Sequence, residues 1–216
     1  MIKKWLSYLF PMPVKKIPSE LHGILEINYE NGKKILDTAN SNYSFGSLQT
    51  ILKTGLQAIH FPGNITTSLI LGMGVGSVAH TIRYDFNSNC HIEFVEFDPM
   101  LIDLANTEFG LQELKNITLI CADAYSFMEE NKKQYDLVIV DLFIVDRIPE
   151  KFTEPRFINW VANSILPGGK LIFNTMRATL NPEIQKNIVD HFLSKNIDIN
   201  ILSKVGYTND LILGKK

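Results

Sequence analysis

Cysteine is nearly absent from this chain. Cys90 and Cys121 are the only two among 216 residues, too few for a disulfide framework and too far apart for a thiolate metal site. Both sit in or beside apolar runs, so both are expected to be buried, reduced thiols of a cytoplasmic protein. The histidines at 22, 60, 80, 91 and 191 show no paired spacing, and no metal is expected. No stretch reaches the ~18 consecutive apolar residues of a membrane span. Basic residues are not in excess: 21 Lys and Arg against 23 Asp and Glu give a formal net charge of −2, with no basic stripe to attract nucleic acid. The start, Met1–Pro11, has lysines ahead of apolar residues as a secretory leader does. Its apolar run stops at Pro11, short of the roughly 7–15 residues a leader needs, and no small-residue cleavage site follows. Trp5, Leu6, Leu9 and Phe10 are instead expected to pack against the body or a partner chain, which makes a homodimer a candidate assembly. Internal repeats and low-complexity tracts are lacking too.

What is present is an ordinary core-forming composition, 45% hydrophobic and 20% charged, enough for one α/β domain with a small appendage. The organising stretch is Leu69-Ile70-Leu71-Gly72-Met73-Gly74-Val75-Gly76-Ser77. A short apolar run meets G-x-G-x-G, and a helical pattern follows with Val78, Ile82 and Tyr84–Phe86 as candidate inward positions. Strand, glycine turn and helix in that order present bare backbone to a ligand at the carboxyl edge of a parallel sheet. About 20 residues later, as a ribose-binding acid requires, Ile92-Glu93-Phe94-Val95-Glu96-Phe97-Asp98-Pro99 ends in acid.

Strand and helix signals then alternate. Strands are expected at Leu69–Leu71, Ile92–Glu96, Ile117–Cys121, Leu137–Asp141 and Lys170–Phe173, with helices from Ser77, Pro99, Ala124 and Pro155. Pro167-Gly168-Gly169 reads as a tight loop before the fifth strand. Pro182–Leu193 reads as a helix, and Ile197–Leu202 and Leu211–Leu213 as an antiparallel pair at the sheet edge. The expected fold is therefore α/β, a doubly wound, Rossmann-like, mainly parallel sheet closed by a C-terminal antiparallel strand pair. Ahead of it, Gly23–Tyr29 and Lys34–Asp37 flank an Asn31-Gly32 turn, a hairpin signal. Leu48, Ile51, Leu52, Leu56 and Ile59 recur at helical spacing. Residues 1–60 are expected to form an appendage or lid of hairpin and helix, and 61–216 the ligand-binding domain, divided at Pro62-Gly63-Asn64.

Glu96, Asp98, Asp123 and Asp141 all fall at or just after strand ends on one edge of this sheet. Glu96 is placed to accept from both ribose hydroxyls, Asp123 from an exocyclic amine such as adenine's, and Asp141 to meet a reacting group. The plain alternative for any one of them is a helix-capping role.

Gly72-Met73-Gly74-Val75-Gly76, Val95-Glu96-Phe97-Asp98-Pro99, Ala122-Asp123-Ala124 with Phe127, and Tyr135–Asp141 together resemble the class I S-adenosylmethionine-dependent methyltransferases, and within them the spermidine synthase-like branch. The resemblance covers roughly residues 65–216. It implies that Gly72, Gly74, Gly76, Glu96, Phe97, Asp123, Ala124 and Asp141 line the cofactor, and that Asp141 works at the transfer centre. Asn174, ending the fifth strand, is a second candidate there. A nicotinamide enzyme fits less well, because its turn runs G-x-G-x-x-G/A whereas here the third glycine is Gly76 and Ser77 follows. Aminopropyl transfer from decarboxylated S-adenosylmethionine is the nearer rival. The aminopropyltransferases carry an acid where this chain has Val75 and polar residues where it has Leu142-Phe143-Ile144-Val145, and their polyamine-binding Tyr and Gln have no match around Asn42–Leu48. Asp146, Glu150 and Glu154 would supply an acidic mouth. The expected activity is methyl transfer from S-adenosylmethionine to a small-molecule acceptor; a non-catalytic nucleoside-binding scaffold is a third reading.

Overall fold

The computed structural model describes residues 2–38, 42–44, 47–144 and 146–216; the side chains at 42–44, 47 and 48 lie outside the description. The side chains of the stretch Asn42–Leu48, where no polyamine-binding Tyr or Gln is expected, therefore fall outside the described residues. No described helix is long and apolar enough to cross a membrane, and the described residues hold no cluster of metal-ligating side chains.

The N-terminal part is a short helix α1 (Ile2–Leu6) and four antiparallel strands in sequence order: β1 (Met12–Ser19), β2 (Gly23–Glu30), β3 (Lys33–Thr38) and β4 (Asn42–Ser44). The Asn31-Gly32 turn joins β2 and β3 with both residues at positive φ, as a tight hairpin of this sequence requires. β1 was hidden in the sequence by Pro13 and Pro18. Proline is tolerated there because β1 is an edge strand and because its register slips between Pro13 and Lys15. Trp5, Leu6, Leu9 and Phe10 do not pack on the body of the chain: all are exposed, Trp5 at 75% and Leu9 at 79%. A five-residue helix has no apolar face broad enough to bury them.

The large sheet has β5 (Thr67–Leu71), β6 (His91–Glu96), β7 (Ile117–Cys121), β8 (Tyr135–Val140), β9 (Ile165–Met176), β10 (Asp198–Val205) and β11 (Asn209–Lys215), in the order β10-β11-β9-β8-β5-β6-β7. β7 to β9 run parallel across the sheet, while β11 pairs antiparallel with both β9 and β10. Helices α2 (Ser47–Ala58), α3 (Ser77–His80), α4 (Pro99–Thr107), α5 (Ala124–Glu130), α6 (Pro155–Asn163) and α7 (Pro182–Leu193) complete the layers. The central strands are apolar on both faces, as a doubly covered parallel sheet demands. Ile70, Leu137 and Ile139 join the core shared with α2, α3 and α4; Leu69, Leu71, Val138 and Val140 join the core under α6 and α7. α2 lies on the large sheet, where a Cβ at Gly55 would come 2.9 Å from a Leu211 methyl. The division of the chain at residue 60 is a proposal that this packing argues should be drawn before α2.

Three local expectations need correcting. Tyr84 faces solvent at 70% exposure, because α3 continues as a π-helical turn over Thr81–Asp85, and its wider turn rotates Tyr84 off the inward face. Pro167-Gly168-Gly169 lies inside β9 and not before it: the chain end supplies ladder partners, with Gly168 N donating to Lys216 O and Lys216 N to Gly169 O. Cys90 is buried, but Cys121 is exposed, since it ends the edge strand β7.

Candidate functional site

The strand order reverses at β5: its neighbours are β6 on one side and β8 on the other. A crevice opens beyond the carboxyl ends of these strands, which is where ligands enter open α/β sheets. The glycine turn forms its floor. Gly72 has φ +87°, its N–H donates to Val95 O, and a Cβ there would lie 2.2 Å from the Asp141 carbonyl oxygen. Only glycine fits both the angle and the approach. Gly76 (φ +83°) opens α3 and packs so closely that a Cβ would meet a Leu111 methyl at 2.9 Å. Val75 between them is fully buried in the core with Val78 and Ile82.

The four carboxylates expected on this edge are all there, in distinct environments. Glu96, ending β6, is buried at 6% exposure. Its Oε2 accepts from Met73 N (3.0 Å) and Gly74 N (3.2 Å), and its Oε1 from Phe97 N (2.9 Å) and Asp98 N (3.1 Å). One side chain thus ties the glycine turn to the end of the next strand. Burial raises its pKa, and these amides oppose the rise. Asp98 caps α4 through Met100 N and meets His22 Nε2 at 3.3 Å. His22 lies in the β1–β2 turn and touches Phe97 edge-on, so the N-terminal sheet is clasped to the site's rim. Burial lowers the His22 pKa against the pull of Asp98.

Asp123 caps α5, its Oδ1 accepting from Tyr125 N and Ser126 N, while its Oδ2 holds Lys151 Nζ at 2.7 Å. Burial pushes its carboxyl up, but Lys151 and the two amides outweigh that and hold it below the usual carboxylate range. Asp141 follows β8, its N–H donating to Leu71 O and its Oδ1 accepting from Asn174 Nδ2 at 2.8 Å. The residue as a whole is half-buried. Burial lifts its pKa to about 6, partly offset by Asn174.

A cavity of about 240 Å³ sits between these groups, lined among others by Gly72, Glu96, Phe97, Asp123, Ala124 and Lys151. Leu142, Phe143, Ile144 and Phe152 add apolar walls. Of the sequence-predicted residues, Gly74, Gly76 and Asp141 stand behind this lining, Gly74 as a donor to Glu96 and Asp141 against the Gly72 backbone. The expected acidic mouth does not form: Glu150 and Glu154 line a separate groove with Ile184 and His191 beside α7. Lys151, His22 and Asn209 were not foreseen. Lys151 sits in a single 3₁₀ turn, Glu150–Phe152, too short to show a pattern, and the other two come near only through tertiary pairing.

Residues 49–201 match the spermine/spermidine synthase domain family. The probable polyamine aminopropyl transferase of Bifidobacterium longum is 26% identical over 164 residues, covering 71% of this chain and 35% of that protein, so the chain spans about a third of that relative's length. Among solved structures, a probable spermidine synthase from Corynebacterium glutamicum superposes with a TM-score of 0.66 at 16% identity, over 93% of this chain and 76% of that one. Human methyltransferase-like protein 13, solved in complex with SAH, gives a TM-score of 0.63 at 18% identity, over 78% of this chain and 82% of that one. At these identities the superpositions bear on the fold, a Rossmann-like sheet shared by both kinds of transferase.

Proposed function

The chain belongs to the spermine/spermidine synthase domain family, and from that premise we propose that it transfers a methyl group from S-adenosylmethionine to a small acceptor held and deprotonated by Asp141. The residues present suit an adenosyl ligand. The cavity has apolar faces for a purine in Phe97, Leu142 and Phe152; ribose hydroxyls would have to displace backbone amides from Glu96, and an exocyclic amine would have to displace Lys151 from Asp123. Its volume of about 240 Å³ suits the nucleoside portion, and Asp141 lies directly behind the Gly72 backbone that lines it.

The glycine turn and Asp123 would hold S-adenosylmethionine, which would supply a methyl group activated by its sulfonium: the acceptor's lone pair would form the new bond to carbon and the carbon–sulfur pair would return to sulfur, giving S-adenosylhomocysteine. The protein's part is orientation and proton removal. A carboxyl lifted to about 6 by burial is mostly ionised at neutral pH yet more basic than an ordinary carboxylate, which suits it to take a proton from an attacking amine or hydroxyl. Gly72 lets the chain pass close to the Asp141 backbone, which fixes the base relative to the glycine turn.

Val75 is the observation that favours methyl over aminopropyl transfer. Decarboxylated S-adenosylmethionine ends in a propylammonium, and a charge left unpaired in a desolvated site is costly. Position 75 is apolar and fully buried, where the resemblance leads one to expect an acid in an aminopropyltransferase. Aminopropyl transfer is the second reading, favoured by the family and by the Bifidobacterium longum relative.

Calorimetry with both cofactors, side by side, tests the choice. Intact S-adenosylmethionine should bind at least about tenfold, or 1.4 kcal/mol, more tightly than the decarboxylated form. A preference for the decarboxylated form would replace methyl transfer with polyamine synthesis.

A further inference from the structure

Three adjacent strands bring a chain of polar side chains to Asp141. Asn174 Nδ2 donates to Asp141 Oδ1 at 2.8 Å, Asn209 Nδ2 donates to Asn174 Oδ1 at 2.9 Å, and Thr208 Oγ1 donates to Asn209 Oδ1 at 2.7 Å. Asn174 is 0% exposed and Asn209 2%. The register explains the alignment. Val140 of β8 pairs with Phe173 of β9, which sets Asp141 level with Asn174. Across the antiparallel β9–β11 pair, Asn174 faces Leu211 while Asn209 faces Met176, so Asn209 is the same-face diagonal neighbour of Asn174. Because β11 runs backwards, its beginning lies at the edge where the parallel strands end.

A side-chain amide can meet a carboxylate in two ways. With its NH₂ forward it stabilises the charge; with its oxygen forward it repels. Nothing intrinsic to Asn174 chooses between them. The donor on its other side does: Asn209 Nδ2 requires an acceptor, so Asn174 must keep its oxygen toward β11 and its NH₂ toward Asp141. Burying two amides inside a sheet costs desolvation that an apolar pair would avoid, and the bond between them links the Asp141 contact at one end to the Thr208 contact at the other.

We infer that Asn209 is a positioning residue for Asp141, locking the Asn174 amide so that its NH₂ holds the Asp141 carboxyl in one orientation at the transfer centre. The meaning of this lock for catalysis rests on the function proposed above, but the lock itself does not. The charged groups on the surrounding elements leave Asn174 as the polar contact that matters. Arg177 and Asp210, beyond β9 and in β11, pair with each other at 3.7 Å, and Asp210 also accepts from Lys204 N and Gln185. Asp146, in the loop after Asp141, has a side chain 49% exposed and lies nearest Arg147. Glu96, at the end of β6, is occupied by backbone amides. Burial raises the Asp141 carboxyl, and the Asn174 donor opposes that rise.

The test needs no substrate. Protein labelled with ¹³C at the aspartate carboxyl carbons is titrated by NMR, and the Asp141 signal is identified by its loss in Asp141→Asn. Removing a donor from the charged form raises a carboxyl's pKa. Asn174→Leu should therefore raise the Asp141 midpoint by about 1–2 pH units, the worth of one hydrogen bond to a carboxylate. Asn209→Leu, which touches no atom of Asp141, should raise it by about half to one unit. In the Asn174→Leu background, Asn209→Leu should add nothing, since its effect runs through Asn174. An Asn209→Leu protein that is folded and titrates as wild type does overturns the inference, and so does a shift equal in both backgrounds. Failure to bind any adenosyl cofactor would instead sink the proposed function and leave the titration result standing.

Discussion

Glu96→Gln removes one charge and almost no volume, and its consequences follow from four distances. Each carboxylate oxygen accepts two backbone N–H groups, at 3.0 and 3.2 Å on one side and 2.9 and 3.1 Å on the other. A glutamine can satisfy only one pair; its NH₂ must face the other. Two N–H donors then lose their acceptor, at about 1–3 kcal/mol each if buried. Removing a charge whose pKa burial has raised returns part of that loss. The net expectation is a destabilisation of about 2–4 kcal/mol, or roughly 5–15 °C in Tm for a chain of this size. Urea denaturation measures the free energy, and amide hydrogen exchange finds where it goes. Either Met73 and Gly74 or Phe97 and Asp98 should lose protection, while the β8 amides keep theirs. Stability within about 0.5 kcal/mol of wild type, with all four amides still protected, would refute the view that Glu96 clamps the glycine turn.

Asp141→Asn should change stability in a pH-dependent way. A carboxyl raised from 3.8 to about 6 in the folded protein favours the folded state below pH ~4, and that contribution is lost as pH rises through 6. The substitution should thus stabilise the protein at pH 7–8 by about 1–3 kcal/mol, the lower figure if water in the crevice screens the charge, with no gain near pH 4; a variant less stable at both pH values contradicts the assignment. Gly72→Ala should cost about 2–4 kcal/mol through its positive φ and its collision with the Asp141 carbonyl, read by thermal unfolding; a cost under 0.5 kcal/mol would mean the turn can give way. Lys151→Met should free Asp123 Oδ2 and tighten S-adenosylhomocysteine binding by about three- to tenfold in calorimetry; weaker binding would make Lys151 a ligand contact and not a competitor.

The parallel strands were legible because each is buried on both faces and reads as an unbroken apolar run, as in Leu69–Leu71 and Leu137–Val140. The glycine turn was legible because the backbone angles at Gly72 and Gly76 admit little else. The carboxylate positions followed from strand ends alone. β1 was not legible: none of its residues is buried and a run of four, Pro13–Lys16, is exposed, so no periodicity marks it, and its prolines argue against a strand until its edge position is known. Neither was Asn209, whose role arises from an antiparallel register that brings it diagonal to a residue 35 positions earlier. The acidic mouth misled for a related reason: proximity in sequence to Asp141 says nothing about which side of the loop Glu150 and Glu154 face.

The proposed function stands on an adenosyl ligand in the cavity between Gly72, Glu96 and Asp123. Ala122 lines that cavity without belonging to any of the hydrogen bonds described above, so Ala122→Trp should fill the space and leave the fold intact. Titration of S-adenosylhomocysteine into both proteins by calorimetry decides the matter. Saturable binding to the wild type with a 1:1 stoichiometry is expected, and a loss of at least about a hundredfold in affinity, ~2.7 kcal/mol, in a variant whose melting temperature without ligand is unchanged. No binding to the wild type, or equal binding to both proteins, would contradict it.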